Sequence, residues 1–142
     1  MQNRKVTKWV VWGLLITCLG QALYIYMSAP SRPEPTKVVT VTQVGDGGVI
    51  YEIQYDSGGA TVPIIYRYFL MEHQRSVEDA LENSKKIAPF LVTKSAEAVR
   101  GISDGIVKLK TDSTVYEFHN PAYFPVDGEL NQVLLELDST LH

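Results

Sequence analysis

The chain is 142 residues long, 45% hydrophobic and 20% charged, with a formal net charge of −3, which excludes wholesale disorder and leaves room for one domain of modest core. A single cysteine, Cys18, excludes an intrachain disulfide framework and any zinc site built on paired cysteines. From Lys37 onward 9 Lys and Arg face 15 Asp and Glu, an acidic balance that repels phosphate backbones and excludes nucleic acid as a partner.

The N-terminus is a basic tail, residues 1–8, carrying Arg4, Lys5 and Lys8. Trp9 to Met27 then runs for 19 residues without a charge. At 1.5 Å per residue that is about 28 Å, close to the roughly 30 Å hydrocarbon core of a bilayer. Trp9 and Trp12 at one end, and Tyr24 and Tyr26 at the other, stand where interfacial aromatics are favoured. A cleaved secretory peptide needs small residues before its cut, but bulky Tyr26 and Met27 and the blocking Pro30 occupy that site. Lipidation at Cys18 would follow Gly, Ala or Ser; Thr17 stands there, and apolar sequence continues beyond. A buried core helix would need an amphipathic face, which this run lacks. Gly13 and Gly20 form no Gly-xxx-Gly pair and suit a lone span. The reading is an uncleaved signal-anchor over residues 9–28, with the cationic flank in the cytoplasm and the rest across the membrane.

Residues 29–36 are a Pro-rich linker that lifts a domain, residues 37–142, off the bilayer. Strand patterns follow: "KVVTVTQV", the turn "GDGG", "VIYEIQY", the turn "DSGGA", and a longer strand "TVPIIYRYFLM". On that last strand Tyr66, Tyr68 and Leu70 alternate with Ile65, Arg67, Phe69 and Met71. Apolar residues on both faces predict a central strand covered on two sides, whereas Pro63 near its start suggests an edge or strand-entry position; the two agree only if Pro63 lies just before the pairing begins. Ser76 with Asp79 predicts a helix start; Val77, Ala80, Leu81, Ser84, Ile87 and Ala88 recur at helical spacing until Pro89. "FLVT", "AVRGI", "GIVKLK" and "TVYEFH" read as strands, "NPAYFPVDGE" as a Pro-rich loop, "LNQVLLELD" as a last strand, and "STLH" as a fraying end. The expected fold class is α+β: an N-terminal transmembrane helix, then a small, mainly antiparallel β-sheet domain with one packed α-helix.

Chemistry is harder to find. Asp56-Ser57-Gly58-Gly59 has the order in which chymotrypsin-like peptidases present their nucleophilic serine. Tyr55 and Ala60 replace the glycine and proline that should flank it, and no histidine precedes Ser57 to take its proton. Ser57 therefore reads as a turn residue. His73, His119 and His142 lack metal-ligand spacing, and the aspartates at 46, 56, 104, 112 and 127 follow from turn chemistry. No catalytic set, cofactor or metal is expected. Candidate partner- or ligand-binding residues are Arg67 with its neighbours Tyr66 and Tyr68, a cation on an otherwise apolar strand, and His119, Asn120, Tyr123 and Phe124 around the aromatic loop.

These residues and the topology lead to one functional expectation: a non-catalytic single-pass protein of a bacterial inner membrane. Its periplasmic domain binds another envelope protein, as an accessory subunit, a sensor companion or an immunity or exclusion factor. The alternative is a membrane-tethered sensory or small-ligand-binding module using Arg67 and the loop.

Overall fold

The computed structural model describes residues 4–27, 33–56 and 62–140, and the chain divides into two compact units, Met1–Arg32 and Pro33–His142. The first unit holds α1 (Arg4–Met27), which extends the helix back from the apolar run as far as Arg4 of the basic tail. Its segment Val6–Met27, 22 residues with mean hydropathy 1.7 and 0% buried, is long and apolar enough to cross a membrane. Anchors and signal sequences share that property.

The second unit contains β1 (Pro35–Val44), β2 (Gly48–Tyr55), β3 (Ile65–Glu72), α2 (Val77–Ser84), β4 (Leu91–Thr93), β5 (Val99–Ser103), β6 (Ile106–Thr111), β7 (Val115–Phe118), β8 (Ala122–Val126) and β9 (Glu129–Ser139). β1 begins inside the expected linker, at Pro35. The remainder of that linker from 29 to 32, the turn residue Ser57 with its neighbours 58–61, and the terminal pair 141–142 lie outside the described residues.

The strands form two sheets rather than one. The first has the order β1-β2-β3-β4-β7 and the second β5-β6-β9-β8. All pairs are antiparallel except β6–β9, which is parallel. Three tight connections explain the hairpins. Asp104-Gly105 and Asp127-Gly128 each take two consecutive positive φ values, 55° and 75° in one and 50° and 83° in the other. That is the mirror-image turn whose twist matches two antiparallel strands. Gly45 and Gly47, also at positive φ, turn β1 into β2.

Packing produces three layers. Val44, Ile50, Tyr68, Leu70 and Leu91 of the first sheet meet Val107, Leu109, Ala122, Phe124, Val133 and Leu135 of the second. On the opposite face of the first sheet, Val49, Tyr51, Ile53, Tyr55, Phe69 and Met71 pack with Ala80 of α2, and Leu81 half-buried beside them. β2 and β3 are thus covered on both sides, as the two-faced apolar pattern predicts, and Pro63 precedes the first paired residue, Ile65. α2 starts at the expected cap, where the Asp79 N–H donates to Ser76 Oγ at 3.0 Å. It stops at Ser84, short of Pro89, because the Ser84 hydroxyl turns back to the Leu81 carbonyl at 2.7 Å and the chain tightens over Lys85 and Lys86.

The expected loop at 120–129 is corrected. Residues 122–126 are strand β8, with Ala122, Phe124 and half-buried Val126 facing inward. Pro125 has no N–H to donate, and β8 tolerates it because it lies at the edge of its sheet.

Candidate functional site

The β3 candidates separate onto two faces. Tyr66 is half-buried against the core between the sheets. Tyr68 is fully buried there, and its hydroxyl donates to the Ser95 carbonyl at 3.0 Å and accepts from the Ala98 N–H at 3.0 Å. Tyr68 is therefore committed to holding the passage from β4 in one sheet to β5 in the other.

Glu52, which lies directly opposite Tyr68 across the β2–β3 pair, joins the same device. It is 2% exposed, and its Oε1 accepts from the Glu97 N–H at 2.9 Å. Burial raises its pKa above the ordinary 4.5, against the lowering influence of its bonds to Glu97, Thr40 and Tyr68. Burial, together with the Glu52 carboxylate beside it, also pushes the Tyr68 phenol up. Sequence reasoning missed Glu52; its signal was a lone carboxylate among the apolar residues of "VIYEIQY".

Arg67 points to the other side. Its guanidinium lies 4.4 Å from the centre of the Tyr55 ring, and its Nε is buried without a hydrogen-bond partner. Cation–π attraction accounts for the charge being tolerated there. Neither Glu117 nor Glu136 pairs with it: Glu117 Oε1 binds His119 Nε2 at 2.6 Å, and Glu136 lies on the second sheet.

The 119–124 group divides as well. Asn120 clamps the β7–β8 connection to β9, donating from Nδ2 to the Leu135 carbonyl at 2.7 Å and accepting at Oδ1 from the Leu135 N–H at 3.1 Å. Phe124 is 3% exposed and lies in the core, its ring over Gly48. His119 and Tyr123 remain outward, and both line an open apolar cleft of about 210 Å³ with Ile87, Ala88, Pro89 and Pro121. Arg67 is not part of that lining, so the structure does not bring the two candidate groups to one place.

The size of the cleft is informative. Pockets for drug-sized ligands run to roughly 300–1,000 Å³, so about 210 Å³ suits one inserted side chain better than a whole metabolite. A wider open depression, about 450 Å³, lies between the turns after β1 and β5 and the start of β9, lined by Asp46, Ile102, Phe124, Asn131 and Gln132 among others. Among the described residues no group of three or more His, Cys, Asp and Glu is placed to hold a metal ion. No protein-family model, curated protein or solved structure matches the chain.

Proposed function

We propose that the chain is a non-catalytic single-pass protein of a bacterial inner membrane whose periplasmic domain binds another envelope protein. The observation that carries this reading is the helix Val6–Met27: a 22-residue, predominantly apolar segment with none of its surface buried is suited to a non-aqueous surrounding. Arg4, Lys5 and Lys8 at its start orient it with the N-terminus in the cytoplasm. A domain held at the membrane by one span acts at short range, on neighbours in the same envelope.

The cleft beside His119 and Tyr123 is the surface that best fits such a neighbour. It offers an apolar floor for one anchoring side chain and a polar rim in the His119–Glu117 pair, the arrangement that protein interfaces use at their centres and edges. Purification of the full chain from membranes, with mass spectrometry of what accompanies it, tests the reading. One defined partner is expected, and Ile87→Asp and Tyr123→Ala should each weaken it at least tenfold. Recovery of the chain alone in several detergents would count against the reading, as would retention of the partner by both variants.

The small-ligand alternative draws on the depression of about 450 Å³, whose volume falls within the range of ligand pockets. A thermal-shift screen that raises the unfolding temperature, with the rise lost in Gln132→Ala, would favour that alternative.

A further inference from the structure

Among the described residues of the second unit none covers the outer face of the second sheet, whose residues are arranged in an unusual order. β6 and β9 run parallel, with Ile106 opposite Leu134, Lys108 opposite Glu136 and Lys110 opposite Asp138. Val107, Leu109 and Leu135 between them point into the core. The alternation therefore sends the other six outward, Ile106 half-buried and the remaining five exposed. The result is two adjacent columns, each apolar at one end and charged at the other, one ending in lysines and the other in carboxylates. Leu130, 70% exposed, and Leu134, 47% exposed, extend the apolar end along β9.

We propose that this face packs against the same face of a second copy of the chain, about a two-fold axis that runs along the strands between β6 and β9. Such an axis exchanges the two columns while keeping their direction. Each copy's Lys108 and Lys110 then face the partner copy's Glu136 and Asp138, and each Ile106 faces a Leu134. The property requires that complementary residues stand opposite each other across the strand pair, as they do between β6 and β9. An axis across the strands would bring the apolar end of one copy onto the charged end of the other. Sheets stacked face to face lie about 10 Å apart and rotate by about 30°, and the two central strands, nearest the axis, are displaced least by that rotation. Within one chain Lys110 Nζ and Asp138 Oδ2 lie 4.0 Å apart with both side chains more than half exposed, a contact worth little in water and easily re-partnered.

The footprint limits the strength. Four strands at about 4.8 Å spacing give a face of roughly 400 Å² per copy, about 800 Å² in total, below the standard size for a stable complex. The dimer is therefore weak in solution. It gains from any tether that keeps two copies close, and that gain rests on the proposed anchoring in one bilayer.

The test is a charge exchange. The variant Lys108→Glu, Lys110→Glu, Glu136→Lys, Asp138→Lys keeps opposite charges beside each other within the chain, so its fold should be undisturbed. Full chains with Cys18→Ser and a fluorophore on Ser139→Cys are placed in phosphatidylcholine vesicles, and energy transfer between copies is read after confirming flotation with the lipid. Wild type with wild type, and swapped with swapped, should transfer equally. Wild type with swapped sets lysine against lysine, and its association should be at least about tenfold weaker, a difference of about 1.4 kcal/mol. Equal transfer in the mixed pair, or no transfer above random encounter for wild type, would overturn the dimer. Failure to float would instead overturn the membrane reading.

Discussion

Glu52 shows how one residue ties the two sheets together and makes the fold sensitive to pH. Its carboxyl lies between the sheets and accepts the Glu97 N–H, while burial lifts its pKa above 4.5. A group that holds its proton more tightly in the folded state binds more protons there than in the unfolded chain. Its contribution is therefore fully present below the unfolded value and is lost as pH rises from about 4.5 through the folded value. Glu52→Gln keeps an acceptor for Glu97 and removes the charge. Relative to wild type it should gain about 1 kcal/mol at pH 7 and lose that advantage towards pH 4, read from urea midpoints across pH. Glu52→Ala leaves the Glu97 N–H unpaired and should cost about 2 kcal/mol near pH 4 and less at pH 7, since it too removes the buried charge. Asn120 is a second such residue, since both ends of its amide are spent on Leu135. Asn120→Ala should cost about 2 kcal/mol and Asn120→Asp at least as much, because the aspartate still accepts from the Leu135 N–H but sets a second acceptor against the Leu135 carbonyl. A partner-binding role for Asn120 would instead leave stability unchanged and alter only binding.

Elements stand or fall on local chemistry that was partly visible in the chain. The Ser76–Asp79 start of α2 could be read directly, because a cap needs only a hydroxyl at the right spacing, and Ser76→Ala should cost about 1 kcal/mol. The two faces of β3 were legible from alternation alone. β8 was hidden because Pro121 and Pro125 resemble loop residues. Its signal was the inward trio Ala122, Phe124 and Val126 followed by Asp127-Gly128, and an edge position that excuses Pro125 cannot be known before the sheet is assembled. Gly48 was likewise read as part of a turn, yet its role is to leave space. A Cβ there would meet Phe124 Cζ at 2.6 Å and the Val44 carbonyl oxygen at 2.7 Å. A ring can shift, but a strand carbonyl beside a hairpin cannot shift cheaply. Gly48→Ala should thus cost about 1–3 kcal/mol, with Gly48→Ser at least as severe.

At the scale of the whole molecule, the second sheet was beyond sequence reasoning for a topological reason. The chain leaves the first sheet after β4, builds β5 and β6, returns to add β7, and crosses again for β8 and β9. Short alternating strands carry no mark of which sheet they join, so Arg67 and Tyr123, grouped from the sequence as one candidate module, fall on different sheets. The apolar helix has the opposite character: its length and composition are complete in the sequence, and what remains is its fate. A cleaved signal and a permanent anchor differ in mass, since only an anchored chain retains the apolar segment Val6–Met27. On the proposed anchoring, the intact mass of the membrane-extracted protein should include the segment Val6–Met27; a mass that lacks it would identify a cleaved signal. Ile16 lies near the middle of Val6–Met27. Exchanging it for arginine raises the cost of insertion by about 3 kcal/mol, roughly a hundredfold in the insertion equilibrium. On the proposed anchoring, Ile16→Arg should shift the chain from the carbonate-resistant membrane fraction to the soluble one, while the domain, whose core contains none of these residues, unfolds at the same denaturant concentration. If the variant stays with the membrane as firmly as wild type, the domain itself holds the lipid and the helix is not the anchor.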